Sequence, residues 1–226
     1  MTELDLSAYD PLVTRHAFTG FLRQQVFAEL AHGRPGHCDL AAGTLTVAGV
    51  GTFAVDVLGT FSEAGRTFLW SWANPGAWDW AAEGLAYANN LRQLGQQHPG
   101  LSAFTEPQLA GSWVDPQELA YVCGERVGGR PLYILQSGSN RVYLLVHLDV
   151  PGVLTSFPPE TWHHRIFEFY GRTSGDQRAT IERGLEKSEL QVSSTPAQTV
   201  ARAADGTTLV LDWKGSRLSD ARLRVS

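Results

Sequence analysis

The chain has 226 residues, of which 43% are hydrophobic and 18% charged, and its formal net charge is −5. This composition is typical of a globular protein, with enough apolar material for one large domain or two small ones. Neither half of the chain is basic overall, which argues against a nucleic-acid partner. No apolar run approaches the length of a membrane span, so no membrane partner is expected.

Two features of the sequence predict a cytoplasmic location. Cys38 and Cys123 stand alone, without the C-x-x-C spacing or the paired pattern of a disulfide framework. The first ten residues, MTELDLSAYD, are acidic and lack the apolar stretch of a signal peptide. We therefore expect both thiols to be reduced.

The N-terminal part of the chain predicts a long helix followed by two short strands. Residues 7–32 carry apolar side chains at helical spacing, with polar residues on the opposite face. The predicted apolar stripe consists of Val13, Ala17, Phe18, Phe21, Leu22, Val26 and Leu30. The turn residues Gly33-Arg34-Pro35-Gly36 end this helix, and residues 37–40 and 44–48 are candidate strands.

The stretch from Gly51 to Trp80 predicts a central aromatic β-hairpin. Residues 53–61 and 66–74 alternate between the two faces of a strand, and residues 62–65 form a polar loop that ends in glycine. With this loop, Phe61 pairs with Arg66. Three further pairs then share one apolar face: Gly59 with Phe68, Val57 with Trp70, and Val55 with Trp72.

A turn and a second helix follow the hairpin. Asn74-Pro75-Gly76 ends the second strand, because proline cannot donate a hydrogen bond to the sheet. Asp79 is the predicted N-cap of the helix. The apolar stripe of this helix includes Ala81, Leu85, Ala88 and Leu91.

The two strand motifs and this helix carry a family resemblance. Leu58-Gly59-Thr60 with Ser62 forms an LGT-x-S strand, and Trp70-Ser71-Trp72-Ala73-Asn74 forms a W-x-W-A-N strand. Asn90-Leu91-Arg92 and Gly95 fit the helix that comes next. These residues resemble a family of uncharacterised bacterial proteins, a domain of unknown function. The match covers residues 55–95, with weaker similarity to about residue 150, and it implies a shared fold and no particular activity.

The middle of the chain predicts a third helix and a second hairpin. Asp115 is a good N-cap, Pro116 suits the first helical position, and Glu118 suits the third. Gly128-Gly129 closes this helix. Residues 132–136 and 141–148 then form a hairpin across a Ser-Gly-Ser-Asn turn.

The C-terminal part predicts helix and then short strands. Residues 160–170 are helical, and Ser174 is the predicted cap of a second helical piece. Short strand-like runs follow at residues 191–193, 200–203, 207–213 and 217–225.

Together these elements predict an α+β fold. It consists of an antiparallel sheet built on the central aromatic hairpin with packed helices, plus a β-rich C-terminal segment. Residues 1–150 would form the α+β domain with the family-like segment 55–95. Residues 151–226 would form a helix and β-meander extension, either within the same domain or as a small subdomain.

The predicted ligand-binding residues are Trp72, Asn74, Trp78 and Trp80. Their rings and the Asn74 amide would form one wall of a pocket at a strand end. The alternative is that the rings only fill space between sheet and helices, while Asn74 bonds to the turn backbone.

Titratable groups cluster at one other place. On the helix of residues 160–170, Glu160, His164 and Glu168 share a face, with His163 next to His164. No H-E-x-x-H pattern or third anchoring motif is present, so no metal ligand, cofactor or catalytic residue is assigned. A solvated, charge-paired helix face is the simpler interpretation.

These observations favour a cytosolic, non-enzymatic binding or interaction module that holds a small ligand or a protein partner. One alternative is a small hydrolase or metal-dependent enzyme that uses His163, His164 and Glu168. Another is a structural homodimer joined through an edge strand of the tail.

Overall fold

The computed structural model describes residues 4–173 and 176–224, and of Trp78 the backbone alone. It has the predicted α+β fold, and its β-rich C-terminal segment forms a second antiparallel sheet, separate from the main one. The helices are α1 (Asp10–Ala31), α2 (Ala82–Gln97), α3 (Pro116–Arg126), α4 (Trp162–Tyr170) and α5 (Gln177–Lys187). The strands of the main sheet are β1 (Gly36–Asp39), β2 (Thr44–Val47), β3 (Gly51–Ser62), β4 (Thr67–Trp70), β5 (Gln108–Ala110), β6 (Leu132–Ser137) and β7 (Asn140–Val146).

The main sheet is built around β3, which has 12 residues. On one side of β3, its first residues pair with β2 and its last residues pair with β4. On the other side it pairs with β7, which in turn pairs with β6. The outer neighbours are β1 next to β2 and β5 next to β4. A single long strand therefore joins all parts of this sheet.

The register of the β3–β4 hairpin differs from the predicted one by two residues. Phe61 pairs with Phe68 and Gly59 with Trp70, so the loop runs from residue 63 to residue 66. The predicted pair of Phe61 with Arg66 is wrong, because Arg66 lies in the loop with a left-handed φ of 47°. A shift by two residues keeps every side chain on its face, so the aromatic face of the hairpin is retained.

A β-bulge in β3 overturns the prediction of one continuous apolar face. Val57 and Gly59 pair with consecutive residues of β7, so Leu58 is an extra residue on β3. Before the bulge, Val55 and Val57 face the smaller of two core clusters. Beyond it, Phe61 faces the larger cluster. One strand therefore contributes to a core on each side of the sheet.

Strand β4 ends at Trp70, and residues 71–73 form a 3₁₀ turn. The predicted pair of Val55 with Trp72 is therefore wrong. The edge of β3 that a longer β4 would need is already taken, because the Val55 N–H donates to the Gly43 carbonyl at 3.0 Å. Two strands can pair with different residues along one edge, as β2 and β4 do, but they cannot bond to the same residues.

The N-caps of two helices also differ from the predicted ones. Helix α2 begins after Ala81, whose N–H donates to the Leu40 carbonyl at 2.9 Å, and Asp79 lies in the preceding 3₁₀ turn. Helix α5 is capped by Asp176, which accepts a hydrogen bond from the Ala179 N–H at 3.0 Å. The predicted cap Ser174 lies outside the described residues.

The C-terminal sheet is a meander of four strands, β8 (Gln191–Ser194), β9 (Gln198–Arg202), β10 (Thr208–Lys214) and β11 (Arg217–Arg224). Leu209 and Leu211 of β10 belong to the larger core cluster, which also contains Phe18 of α1 and Ile181 of α5. This core therefore extends from the first helix to the last strands. Within the described part of the chain, no helix is long and apolar enough to cross a membrane.

The smaller core cluster lies on the opposite face of the main sheet. Its members from β2, β3 and β7 pack under the end of α1, which contributes Phe27 and Ala31. Leu30, which the sequence analysis placed in the apolar stripe, is instead 47% exposed. The end of α1 covers only part of this face of the sheet, and the remainder carries the groove described below.

Candidate functional site

A groove of about 420 Å³ lies on the face of the main sheet that α1 leaves uncovered. We call it the sheet groove. Its lining residues come from five strands and from the segments next to α2. They are Leu40, Thr60, Ser62, Thr67, Leu69, Asn74, Trp80, Gln108, Ser137, Asn140 and Val142.

Strand register arranges most of the lining in two rows that run across the strands. The first row consists of Gln108, Leu69, Thr60 and Val142, each paired with the next on the neighbouring strand. The second row consists of Thr67, Ser62, Asn140 and Ser137, paired in the same way. Side chains paired across antiparallel strands lie on one face and within contact distance. The groove is therefore a product of the sheet register.

The sheet groove is lined by uncharged groups. Among the described residues that line it there is no lysine, arginine, histidine, aspartate or glutamate. Four hydroxyls and three amides supply both hydrogen-bond donors and acceptors, and three apolar aliphatic side chains lie between them. Such a surface can bind a neutral polar molecule, and it offers no counter-charge to an ion.

Asn74 and Trp80 stand at the edge of the sheet groove. The Gly76 N–H donates to Oδ1 of Asn74 at 2.9 Å, which fixes the amide within its turn. Trp80 is partly buried, with one side against the smaller core cluster. An indole held this way presents a rigid apolar edge to the groove. Two of the four predicted ligand-binding residues therefore line one concave site.

The other two predicted residues do not join them in what the structure describes. Trp72 packs against the larger core cluster, and its ring lies under Arg92, whose Cζ is 4.3 Å from the ring centroid. The indole nitrogen of Trp72 is buried without a hydrogen-bond partner. The side chain of Trp78 lies outside the described residues. Trp72 thus packs beside α2, away from the sheet groove.

The helix predicted as an acid–base site is α4. Its Glu168 accepts a hydrogen bond from Arg172 at 2.9 Å and lies 3.6 Å from Arg165. His163 and His164 are exposed. No group of three His, Cys, Asp or Glu side chains within the described ranges could hold a metal ion. The contacts of Glu168 are those of a charge-paired helix face.

The two cysteines lie in surroundings that disfavour the thiolate. Burial raises the pKa of the Cys38 thiol to about 11, and the charge of Asp39 adds to this effect. Cys123 is fully buried on α3, and burial raises its pKa further. The thiolate is the nucleophilic form, so neither cysteine has the surroundings of a reactive one.

Most of the groove residues were not singled out in the sequence analysis. Ser62 and Asn140 were assigned to turns, although each is the last or first residue of a strand. Thr60, like Ser62, was otherwise named only as part of the LGT-x-S strand motif. Their small polar side chains alternate with apolar ones, but their convergence depends on pairings among five strands. A single-strand pattern contains no information on these pairings.

Comparison with known proteins adds a family relationship. Residues 10–149 match the model of a protein family described as Family of unknown function (DUF6882). This range includes every residue of the sheet groove. No curated protein matches the chain, and no solved structure matches it either.

Proposed function

Because the chain belongs to DUF6882, a family of unknown function, we propose its function from its own geometry: a non-enzymatic binding module. Its sheet groove would hold a small, uncharged, hydroxyl-rich ligand such as a mono- or disaccharide. The single observation that carries this proposal is the concave lining of hydroxyls and amides without an ionisable side chain. A sheet face that only meets solvent commonly carries charged residues instead.

The chemistry of the lining suits a sugar. A ligand hydroxyl both donates and accepts hydrogen bonds, and so do the hydroxyls and amides of the groove. The apolar face of a sugar ring can pack on the Trp80 indole, while Leu69 and Val142 provide apolar contact on the floor. A charged ligand would lose water without gaining a counter-charge.

We also propose that the protein works in a bacterial cytosol. Cys38 and Cys123 are both free thiols, which is compatible with a reducing compartment. The hydrolase and homodimer alternatives remain predictions from the sequence, and no contact among the described residues favours either over the binding module.

Saturation-transfer NMR and isothermal titration calorimetry with a panel of neutral disaccharides test the proposal. We expect at least one neutral sugar to bind, and its uronic acid analogue to bind more weakly. Thr60→Val removes one groove hydroxyl without changing shape. It should weaken binding by about tenfold if that hydroxyl bonds to the ligand.

Thr52→Val is the matched control, because Thr52 is an exposed threonine of the same strand outside the groove. Asn140→Asp adds a negative charge with little change in size and should weaken binding of a neutral sugar. Equal affinity of all three variants and the unchanged protein would place the binding site elsewhere. The absence of binding across the neutral panel would contradict the proposed ligand class.

A further inference from the structure

A second cavity, of about 290 Å³, lies far from the sheet groove in the fold. It is formed by the start of α1, the segment before α3 and the residue that caps α5. We call it the acidic cavity. Its polar and aromatic lining residues are Tyr9, Asp10, Thr14, Trp113, Glu118 and Asp176.

The lining of the acidic cavity carries negative charge. Asp10, Glu118 and Asp176 contribute three carboxyl groups, and the described lining contains no lysine or arginine. Glu118 is only 5% exposed, and its carboxylate accepts a hydrogen bond from the Thr173 hydroxyl. Asp10 and Asp176 are exposed, and this negatively charged lining attracts a positively charged occupant.

Tyr9 provides an independent indication of a ligand. It is 3% exposed, it lines the acidic cavity, and its hydroxyl has no hydrogen-bond partner. Buried hydroxyl groups in folded proteins normally have a partner, so an unpaired one marks a place where a bound group can supply it. Burial raises the pKa of Tyr9, and the negative charges of Glu118, Asp115 and Asp10 raise it further. The hydroxyl therefore stays protonated and lies within the field of these carboxylates.

The arrangement of the carboxyl groups excludes a close-packed metal site. Within the described residues, no three His, Cys, Asp or Glu side chains are grouped so as to hold a metal ion. An ammonium group, in contrast, carries its charge on three N–H donors, and carboxylate and hydroxyl oxygens of the cavity lining can accept hydrogen bonds from them. The partly buried Trp113 also offers an aromatic ring to an organic cation.

We propose that the acidic cavity binds a small organic cation with a primary ammonium group. Glu118 supplies the main counter-charge, and the Tyr9 hydroxyl accepts a hydrogen bond from the ammonium. This site is independent of the proposed function of the sheet groove, so either one can fail without the other.

Isothermal titration calorimetry with 1,4-diaminobutane as the probe tests the proposal. The titration is done at physiological salt so that surface charges are screened. We expect saturable binding with one site per chain and a higher melting temperature in excess probe. 1-Butanol, which lacks the charge, and magnesium chloride, which lacks the N–H donors, should not produce either effect.

Two variants separate recognition from folding. Tyr9→Phe removes the unpartnered hydroxyl, so the free protein should melt at the same or a higher temperature, while the probe binds about tenfold more weakly. Glu118→Gln keeps an acceptor for Thr173 and removes the charge, and it should weaken binding at least as much. Tyr133→Phe, in the other core cluster, and Glu160→Gln, in an exposed turn, are the matched controls.

Three outcomes would overturn the proposal. One is no saturable binding of the diamine to the unchanged protein. Another is equal binding of 1-butanol, which would indicate a merely apolar cavity. The third is that Tyr9→Phe and Glu118→Gln bind the diamine as tightly as their control variants do. This result would mean that the diamine binds elsewhere on the surface.

Discussion

Asp56 is a buried carboxylate on β3 and only 4% exposed. It accepts hydrogen bonds from Arg130 and from Nε2 of His147, the latter at 3.1 Å. Asp56→Asn would leave Arg130 without its counter-charge. We expect a loss of about 2–3 kcal/mol in the free energy of unfolding, measured by urea denaturation, since Arg130 is partly exposed and can recover some hydration.

Glu63→Gln is the control for that change. Glu63 forms an ion pair with Arg141, and both side chains are about two-fifths exposed. Surface ion pairs contribute less than about 1 kcal/mol, so this variant should unfold at nearly the same urea concentration as the unchanged protein. A similar loss in both variants would contradict the special role of the buried pair.

His16 gives the protein a pH-dependent stability. Burial lowers its pKa to about 4, and the positive charges of Lys187, Arg126 and Arg15 add to the effect. The unfolded chain takes up this proton near its ordinary pKa of about 6.5, so the unfolded state binds more protons between pH 6.5 and 4. Stability contributed by neutral His16 is therefore complete above pH 6.5 and is lost as the pH falls towards 4.

Denaturation at pH 7.5 and pH 4.5 measures this loss. The unchanged protein should lose about 1–2 kcal/mol more between these pH values than His16→Gln does, because the glutamine does not titrate. His163→Gln is the control, since His163 is exposed on α4. An identical loss in the protein and in His16→Gln would contradict the assignment.

At the scale of single residues, the sequence predicted the local hydrogen bonding of a side chain better than its surroundings in the fold. Asn74 was expected either to line a pocket or to bond with its turn, and it does both. Asp115 caps α3 as predicted, because an N-cap needs only the two N–H groups that follow it in the chain. The side-chain surroundings of Tyr9 depend on segments more than a hundred residues away, so its unpartnered hydroxyl has no sequence signature.

At the scale of elements, the β3–β4 hairpin depends on Gly59. A Cβ atom at this position would lie 2.4 Å from the Leu69 carbonyl oxygen and 2.6 Å from Cζ of Phe68. Gly59→Ala therefore pushes both the Phe68 ring and the β4 backbone away from β3. We expect a loss of about 2–4 kcal/mol in a denaturant titration, since overpacking against backbone leaves little room for relaxation.

Gly65→Ala is the matched control within the same hairpin. An added Cβ there would come no closer than 3.2 Å to any atom, namely Oγ1 of Thr67. The loop should accommodate it with a change below about 0.5 kcal/mol. A tolerated alanine at Gly59 would show that the close packing of Phe68 on this strand is not required.

Local patterns predicted the elements well and their registers poorly. The helices and most strands lie within a few residues of the predicted ranges, because helical and strand periodicities are local properties. The hairpin register was displaced by two residues, an error that alternation alone does not reveal because it leaves every face unchanged. The early end of β4 depends on β2, which lies more than twenty residues earlier in the chain.

At the scale of the whole molecule, the core does not stop where the family match stops. Phe169 of α4 contacts Phe18 and Phe21 of α1, with ring centroids 5.0 and 5.5 Å apart. Gly184 of α5 packs directly on the Phe18 ring. The match to the family model ends at residue 149, so these contacts join the matched and unmatched parts of the chain.

A truncated chain of residues 1–150 tests this coupling. It would expose the rings of Phe18 and Phe21, so we expect loss of cooperative thermal unfolding and strong binding of a hydrophobic dye. Circular dichroism and dye fluorescence measure both effects, with the full chain as reference. Cooperative unfolding of the fragment near the melting temperature of the full chain would instead establish residues 1–150 as an independent domain, one of the two predicted arrangements.

The α+β class and the β-rich tail were predictable because they follow from the order of elements. The sheet groove was not, because its rows combine residues between 60 and 142 through strand pairings that no local pattern contains. The position of the groove also follows from where α1 ends, which leaves part of one sheet face uncovered.

The bulge at Leu58 determines which side chains of β3 face the groove beyond that point and which face the larger core. If Leu58 were an ordinary residue of the alternation instead of an extra one, Phe61 would face the groove and Thr60 the larger core. Deletion of Leu58 would therefore give a regular strand that keeps both faces, because Val57 and Gly59 already pair with consecutive residues of β7. Related chains that keep both faces can therefore lack this one residue, whereas a further single insertion in β3 would have to form a second bulge.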